Sequence, residues 1–100
     1  MYVVDTVYLK LKELDRSLTE SRFCSDYLET SRSYLSRRRY SNADASDSVM
    51  LRLWKTLDDT AKAWEEIAST GTTHIPKQKA ETFKQLASEV FVELDRRAAT

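Results

Sequence analysis

The stretch Leu18–Tyr40, LTESRFCSDYLETSRSYLSRRRY, organises the rest of the chain. It predicts two short helices joined by a tight connection. The second helix, about Arg32–Tyr40, carries the side chains of Arg32, Ser33, Ser36, Arg37, Arg38, Arg39 and Tyr40. A short helix with an exposed arginine face, supported by another short helix, is the geometry that enters a DNA major groove. The remaining chain is therefore interpreted as the scaffold that holds this helix.

Local signals set the expected bounds of the two short helices. Ser17 and Glu20 match a capping box, so the first helix is predicted to start there and to run to about Leu28. Glu29-Thr30-Ser31 is the connection, and Thr30 or Ser31 is expected to cap the second helix. Of the second helix, the residues expected to be buried or partly shielded are Tyr34, Leu35 and Arg38.

Three longer helices are predicted around this pair from apolar residues at helical spacing. The first covers about Val3–Asp15, with Val4, Val7, Tyr8, Leu11 and Leu14 on one face. After the polar connection SNADASDS, with Ser46 or Ser48 as N-cap, a helix is expected over about Val49–Ser69, with an apolar stripe of Met50, Leu53, Trp54, Leu57, Ala61, Trp64 and Ala68. Gly71 stands at the C′ position and Pro76 near the next first turn. The last helix, about Lys77–Arg97, has a stripe of Ala80, Phe83, Leu86, Ala87, Val90, Phe91 and Leu94.

These elements predict one all-α domain over residues 1–100. It is a compact five-helix domain, with a helix-turn-helix at about 18–40 and a long antiparallel helical hairpin at about 49–97. One glycine and one proline in 100 residues agree with this, because strands and tight turns use both residues heavily.

The charge of the chain is balanced overall but uneven locally. Sixteen basic and sixteen acidic side chains give a net charge of zero, which argues against a generic nucleic-acid-coating protein. From Thr30 to Lys55, however, there are six basic residues and two acidic ones. The basic excess therefore falls on the predicted arginine helix and its surroundings.

Several classes of protein are disfavoured by the composition. Cys24 is the single cysteine, so no intramolecular disulfide is available; it is interpreted as a small buried residue of a cytoplasmic protein. The N-terminus does not read as a signal peptide, and no apolar run is long enough for a membrane span. His74 is the single histidine and has no metal-binding cluster around it. No catalytic dyad, triad or glycine-rich phosphate loop is evident, so we expect no enzymatic activity and no cofactor. Trp54 and Trp64 are interpreted as core or dimer face, and no small-molecule ligand is implied.

The paired short helices also carry a family resemblance. Leu18-Thr19-Glu20, the apolar-small pair Phe23-Cys24 and the run Ser31-Arg32-Ser33-Tyr34-Leu35-Ser36-Arg37 resemble the helix-turn-helix of small phage- and plasmid-type repressors. The chain departs from that motif in two places: Leu28-Glu29 occupies the turn-glycine site, and one extra residue lies between Cys24 and Tyr34. The same region is similar to an uncharacterised family of short bacterial proteins.

Together these features predict a sequence-specific DNA-binding transcriptional regulator. Base-edge or groove contacts are assigned to Arg32, Ser33, Ser36 and Arg37, and phosphate contacts to Arg22, Arg38, Arg39 and Tyr40. Because a single short helix reads only a few base pairs, we expect a homodimer on two-fold double-stranded DNA. The alternative is a non-enzymatic protein-interaction module, a small antagonist or adaptor of helix-turn-helix-like shape. Arginines that are all paired with carboxylates would favour this alternative.

Overall fold

The computed structural model of the protein describes residues 2–41, 44–71 and 75–99. In those residues the chain forms α-helices and no strand. The elements are α1 (Val3–Leu14), α2 (Glu20–Phe23), α3 (Tyr34–Ser41), α4 (Asp47–Thr70) and α5 (Ile75–Ala98), and α2 continues into one π-helical turn, Cys24–Leu28, here called the π turn. The predicted all-α fold with five helices is confirmed.

The hairpin of α4 and α5 forms the largest packed unit, as predicted. Each helix has 24 residues, a length of about 36 Å. The buried residues of α4 are Met50, Leu53, Leu57 and Ala61, and those of α5 are Ala80, Phe83, Leu86, Ala87 and Val90. Phe91 was expected on the same stripe, but it is 54% exposed. It follows Val90 by about 100° around the helix and therefore points away from the core.

The ends of α4 and α5 agree only in part with the predicted caps. Ser46 caps α4, since its hydroxyl accepts a hydrogen bond from the Val49 N–H. Gly71 ends α4 with φ −109°, an extended conformation and not the left-handed one expected at a C′ glycine. Residues 72–74 of the predicted break between these helices lie outside the described residues, and with them His74, which was expected in this loop as an exposed or capping residue.

Helix α1 and the α2–π turn segment cover one side of the hairpin. Val4, Val7 and Leu11 are buried, as predicted. Leu14 was expected on the same face but is 39% exposed, because α1 ends there and the chain turns at Asp15. The ring of Phe23 lies 5.3 Å from that of Tyr8, between centroids. These contacts join α1 and α2 to one continuous core.

The N-terminus of α2 differs from the predicted capping box. The cap is Thr19, whose hydroxyl accepts from the Arg22 N–H, and the helix begins at Glu20. Ser17 is not the cap, because its N–H and its hydroxyl both donate to Asp15 Oδ1, at 3.0 and 2.6 Å. Asp15 thus competes successfully for the serine that the pattern assigned to the helix.

Candidate nucleic-acid interface

The connection between α2 and α3 is built from the π turn and a left-handed residue. Glu29 has φ 52°, the only positive φ at a non-glycine position among the described residues. The N–H groups of Glu29 and Thr30 both donate to the carbonyl of Cys24, so the π turn ends with a left-handed residue directly after Leu28. A π-helical hydrogen bond spans five residues, whereas an α-helical one spans four, so the π turn contains one residue more than an α-helical turn. A left-handed residue, Glu29, and the π turn thus lie in the region where the sequence departs from the repressor motif.

Helix α3 starts two residues later than predicted. The Thr30 hydroxyl donates to the Cys24 carbonyl and so belongs to the end of the preceding helix. Arg32 and Ser33 form a turn, and the first α-helical bond of α3 runs from the Arg37 N–H to the Ser33 carbonyl. The prediction that α3 begins at about Arg32 is therefore wrong by two residues. Of the two predicted caps, Thr30 and Ser31, Thr30 does not cap α3, because its hydroxyl is bonded to the end of the preceding helix.

Two side chains of α3 point inward and fix the helix on the domain. Leu35 is fully buried, as predicted. Arg38 is also buried, at 6% exposure, and its Nη2 donates to Asp5 Oδ2 of α1 at 2.8 Å. The guanidinium lies 5.3 Å from the centroid of the Tyr2 ring. The assignment of Arg38 to a phosphate contact does not agree with this position, because the group would have to leave its buried carboxylate partner; the residue holds α3 against α1.

The opposite side of α3 and its leading turn is exposed. We call it the arginine face, and it consists of Arg32, Ser33, Ser36, Arg37 and Tyr40. Tyr40 is 92% exposed. Within the described residues no carboxylate lies at ion-pair distance from Arg32 or Arg37, and Arg37 Nη2 donates to the hydroxyl of Ser31. All five predicted outward residues are therefore brought together on one accessible surface.

Most other arginines of the described chain have carboxylate partners. The paired ones are Arg22, Arg38, Arg52, Arg96 and Arg97. Arg22, a predicted phosphate contact, lies 3.8 Å from Asp26, and both side chains are more than half exposed. The side chain of Arg39, another predicted phosphate contact, lies outside the described part of the structure. Arg32 and Arg37 differ from these five in having no carboxylate partner among the described residues; Arg16, which is also exposed, has none there either.

The connection that follows α3 is tied down from α5. Arg97 donates to the carbonyl of Ala45 at 2.8 Å and pairs with Asp44 at 3.1 Å. It also pairs with Asp47 at the start of α4, at 2.9 Å. These bonds anchor the chain on α5 at Asp44, Ala45 and Asp47, where α4 begins.

Asp5 is the functional neighbour that sequence reasoning missed. It lies 33 residues from Arg38 and carries no local signal, because an acidic residue in a first helical turn is ordinarily explained by the helix dipole. Only the packing of α1 on α3 shows its role.

Other kinds of site are absent from the described residues. No group of three or more histidine, cysteine or acidic side chains is arranged to hold a metal ion there. Cys24 is a free, buried cysteine, as interpreted from the sequence. None of the described helices combines the length and the apolar character that a membrane crossing requires.

The fold and this surface define an all-α domain that combines a helical hairpin with a short helix, α3, whose arginine face is exposed. The chain belongs to DUF6626, a family of unknown function, whose profile matches residues 4–100. This agrees with the predicted resemblance to an uncharacterised family of short proteins. Neither the curated proteins nor the solved structures that were searched contain a match.

Proposed function

We propose that the protein is a non-enzymatic, sequence-specific regulator that binds double-stranded DNA by placing α3 in the major groove. The observation that carries the proposal is the arginine face, where Arg32 and Arg37 are exposed without a carboxylate partner in the described residues. An exposed guanidinium that gives up no ion pair is available for guanine edges or phosphates at low cost. A cytoplasmic location is part of the proposal, since the chain has a single cysteine.

The turn between α2 and α3 supports the same proposal. The repressor motif uses a left-handed glycine between its two helices, and Glu29 adopts that conformation here, with φ 52°. Because a left-handed non-glycine residue is unfavourable by about 1–2 kcal/mol, the surrounding structure must enforce it. The orientation of α3 relative to α2 is thus maintained although the backbone conformation of Glu29 is unfavourable. This is expected if the orientation is needed for binding.

The exposed side chains divide into two roles on DNA. Arg32 and Arg37 are long enough to reach base edges, and the hydroxyls of Ser33 and Ser36 lie beside them for shorter contacts. Tyr40, at the end of the helix, is placed for a phosphate. Arg22 and Arg39 complete the proposed phosphate contacts; the exposed pair of Arg22 with Asp26 is of a kind that contributes only about 0–1 kcal/mol. Arg38 is left out of the DNA contacts and acts as the internal anchor of α3.

A homodimer is part of the proposal because α3 has only eight residues. Such a helix reads a few base pairs, and two-fold sites supply the remaining specificity. The exposed side of the α4–α5 hairpin is the candidate dimer face. It is about 36 Å long and two helices wide, which gives roughly 700 Å² and is close to the ~800 Å² per partner of a standard interface.

DNA binding is tested by fluorescence anisotropy with a pool of random duplexes at low and near-physiological salt. The expected result is binding that weakens steeply with salt, because phosphates are neutralised. After selection of a preferred sequence, Arg37→Ala and Arg32→Ala are each expected to weaken specific binding by about 1–3 kcal/mol. The matched control is Lys77→Ala, which removes one exposed positive charge at the opposite end of the hairpin from the α3–α4 connection.

The proposal fails if the folded protein does not bind duplex DNA at low salt. It also fails in its assignment of α3 if Arg37→Ala and Lys77→Ala have equal effects on the selected sequence. In that case the charge lost, and not its place on the arginine face, would explain the change.

A second candidate function, the protein-interaction module, is favoured by one apolar groove. The groove has a volume of about 410 Å³ and lies between the first half of α4 and the last half of α5. Leu51 and Phe91 in its lining are both more than half exposed. Its direction along two helices fits an amphipathic helix of another protein. If the protein is a monomer and does not bind DNA, the protein-interaction module is favoured. If the protein is a dimer and Phe91→Glu converts it to monomers, the homodimer through the α4–α5 hairpin is supported.

A further inference from the structure

A second concave site lies on the domain, away from the arginine face. It is a pocket of about 210 Å³ between α1, the π turn, α4 and α5. This volume corresponds to about seven water molecules at roughly 30 Å³ each, or to one small ring compound. Leu11, Leu18 and Phe83, all buried, form its apolar base. Its base favours an apolar group at the bottom of the pocket, and its size favours a small ligand.

Aromatic side chains form the walls of this pocket. Tyr27 comes from the π turn and Trp64 from α4, and each is partly exposed. The ring of Tyr27 stacks on Phe23 with centroids 5.7 Å apart, which holds it in place from the core side. Planar walls of this kind favour a flat ring, because aromatic pairs gain from offset or edge-to-face contact.

The rim of the pocket offers hydrogen-bond donors that have no acceptor. Lys79 Nζ lies 4.8 Å from the centroid of the Trp64 ring. Neither this ammonium nor the hydroxyl of Tyr27 has a hydrogen-bond partner within the described part of the chain. Burial, and then the negative charges of Asp15 and Asp26, raise the pKa of Tyr27, so its hydroxyl is a donor at neutral pH. Two donors without a hydrogen-bond acceptor in the described residues, one of them cationic, favour an acceptor such as a carboxylate.

The remaining charged group at the rim limits the charge of the ligand. Asp15 Oδ1 accepts two hydrogen bonds from Ser17, and these bonds lower the pKa of Asp15. Asp15 therefore stays negative near neutral pH, so a doubly charged anion is disfavoured and a single negative charge has to lie on the Lys79 side of the rim. The chemistry of the rim fits one anionic group beside Lys79.

We propose that this pocket binds a small aromatic monocarboxylate, with its ring between Tyr27 and Trp64 and its carboxylate on Lys79 and the Tyr27 hydroxyl. The site shares no residue with the proposed DNA contacts, so it does not depend on DNA binding. Its wall belongs to the π turn, which connects α2 to α3. Occupation of the pocket therefore stabilises the segment that supports the arginine face.

The test is a titration of the ¹⁵N-labelled full chain, followed by two-dimensional NMR, with three probes of similar size. The probes are benzoate, benzyl alcohol and benzylammonium, which differ in charge. The chain has two indole N–H signals, and Trp54→Phe assigns them, since Trp54 lies in the α4–α5 groove and not in this pocket. Benzoate is expected to shift the Trp64 signal saturably, with weaker binding of the alcohol and weakest binding of the amine.

Three variants locate the interaction. Lys79→Gln is expected to weaken benzoate binding about tenfold or more, the usual effect of removing a charged donor, and to leave benzyl alcohol unchanged. Lys77→Gln, an exposed lysine outside the pocket, is the matched control and leaves both unchanged. Tyr27→Phe keeps the ring and removes the second donor, so it weakens benzoate to a smaller extent. All three positions are at least partly exposed, so the fold is retained.

The proposal is overturned by any of three results. One is no saturable shift with any probe up to about 20 mM, well above the millimolar affinity that a single-ring ligand can reach. Another is equal binding of benzoate to wild type and Lys79→Gln. The third is a set of shifts centred on Trp54, which would place the probes in the α4–α5 groove. None of these results bears on DNA binding, which is measured separately.

Discussion

The substitution Asp5→Ala tests the buried ion pair that holds α3 on α1. The side chain of Arg38 is 5% exposed and that of Asp5 is 20% exposed. In the variant, the guanidinium stays buried but loses its carboxylate. Alanine is the most favourable residue in a helix, so α1 itself loses little beyond a favourable charge in its first turn.

The expected loss of unfolding free energy is about 3 kcal/mol. Breaking a buried pair by removing one partner costs about 3–5 kcal/mol, because the remaining charge loses a counter-charge inside the protein. The lower end of that range applies because water already reaches Asp5 and because the guanidinium keeps its contact with the Tyr2 ring. With a urea dependence of about 1.5 kcal/mol per M, the unfolding midpoint falls by roughly 2 M. Urea titration followed by far-UV circular dichroism measures this shift.

The double variant Asp5→Ala/Arg38→Met separates the charge from the packing. It removes the buried guanidinium while methionine keeps part of its volume, so it is expected to be more stable than Asp5→Ala alone. The reasoning is refuted if Asp5→Ala changes the free energy by less than about 1 kcal/mol. It is also refuted if the two substitutions add within about 0.5 kcal/mol, as independent sites do.

Three further changes test local features of the fold. Glu29→Gly is expected to raise the unfolding free energy by about 0.5–1 kcal/mol, because glycine adopts positive φ without strain. The control Glu29→Ala keeps the strain and is expected to give no gain, and urea unfolding midpoints compare the two variants. Thr19→Ala is expected to cost about 1 kcal/mol by thermal unfolding, and Ser17→Ala less than half of that, because Thr19 is the cap of α2. Hydrogen bonds from Arg96 and then Arg97 lower the pKa of Glu93 in the folded protein. The ionised Glu93 carboxylate therefore stabilises the fold fully above its unfolded-state pKa. This stabilisation is lost as the pH falls through the lower pKa of the folded state. Glu93→Gln is therefore expected to flatten the loss of stability below about pH 4.5, measured by urea midpoints across pH.

The long helices could be predicted from the sequence because their signals are local. Apolar residues at helical spacing predicted α1, α4 and α5, and each predicted end lies within two residues of the observed one. Ser46 was among the predicted caps of α4 for the same reason, since a serine hydroxyl bonds the backbone only three residues away. Errors at Leu14 and Phe91 occurred at the edges of the stripes, where a periodic pattern does not show how far the partner surface extends.

The short helices were predicted less well because several groups compete for the same bonds. Ser17 matched a capping pattern, but Asp15 binds both of its donors. Thr30 matched another cap, but its hydroxyl is bonded to the Cys24 carbonyl. The π turn had no signal apart from one surplus residue relative to the repressor motif. In each case the pattern identified the correct type of residue, and the competition among neighbours decided its partner.

The amino-acid sequence by itself determined the all-α class, the helical hairpin and the exposed positions Arg32 and Arg37, because each depends on spacing within a few turns. Arg38, in the same arginine run, was expected to be partly shielded, but the tertiary structure alone decided that its partner is Asp5. The tertiary structure also brought Tyr27, Trp64 and Lys79 around one pocket. The physical reason is the same for both: burial and ion pairing depend on segments far apart in the chain, and local periodicity contains no information about which distant side chain will be the partner.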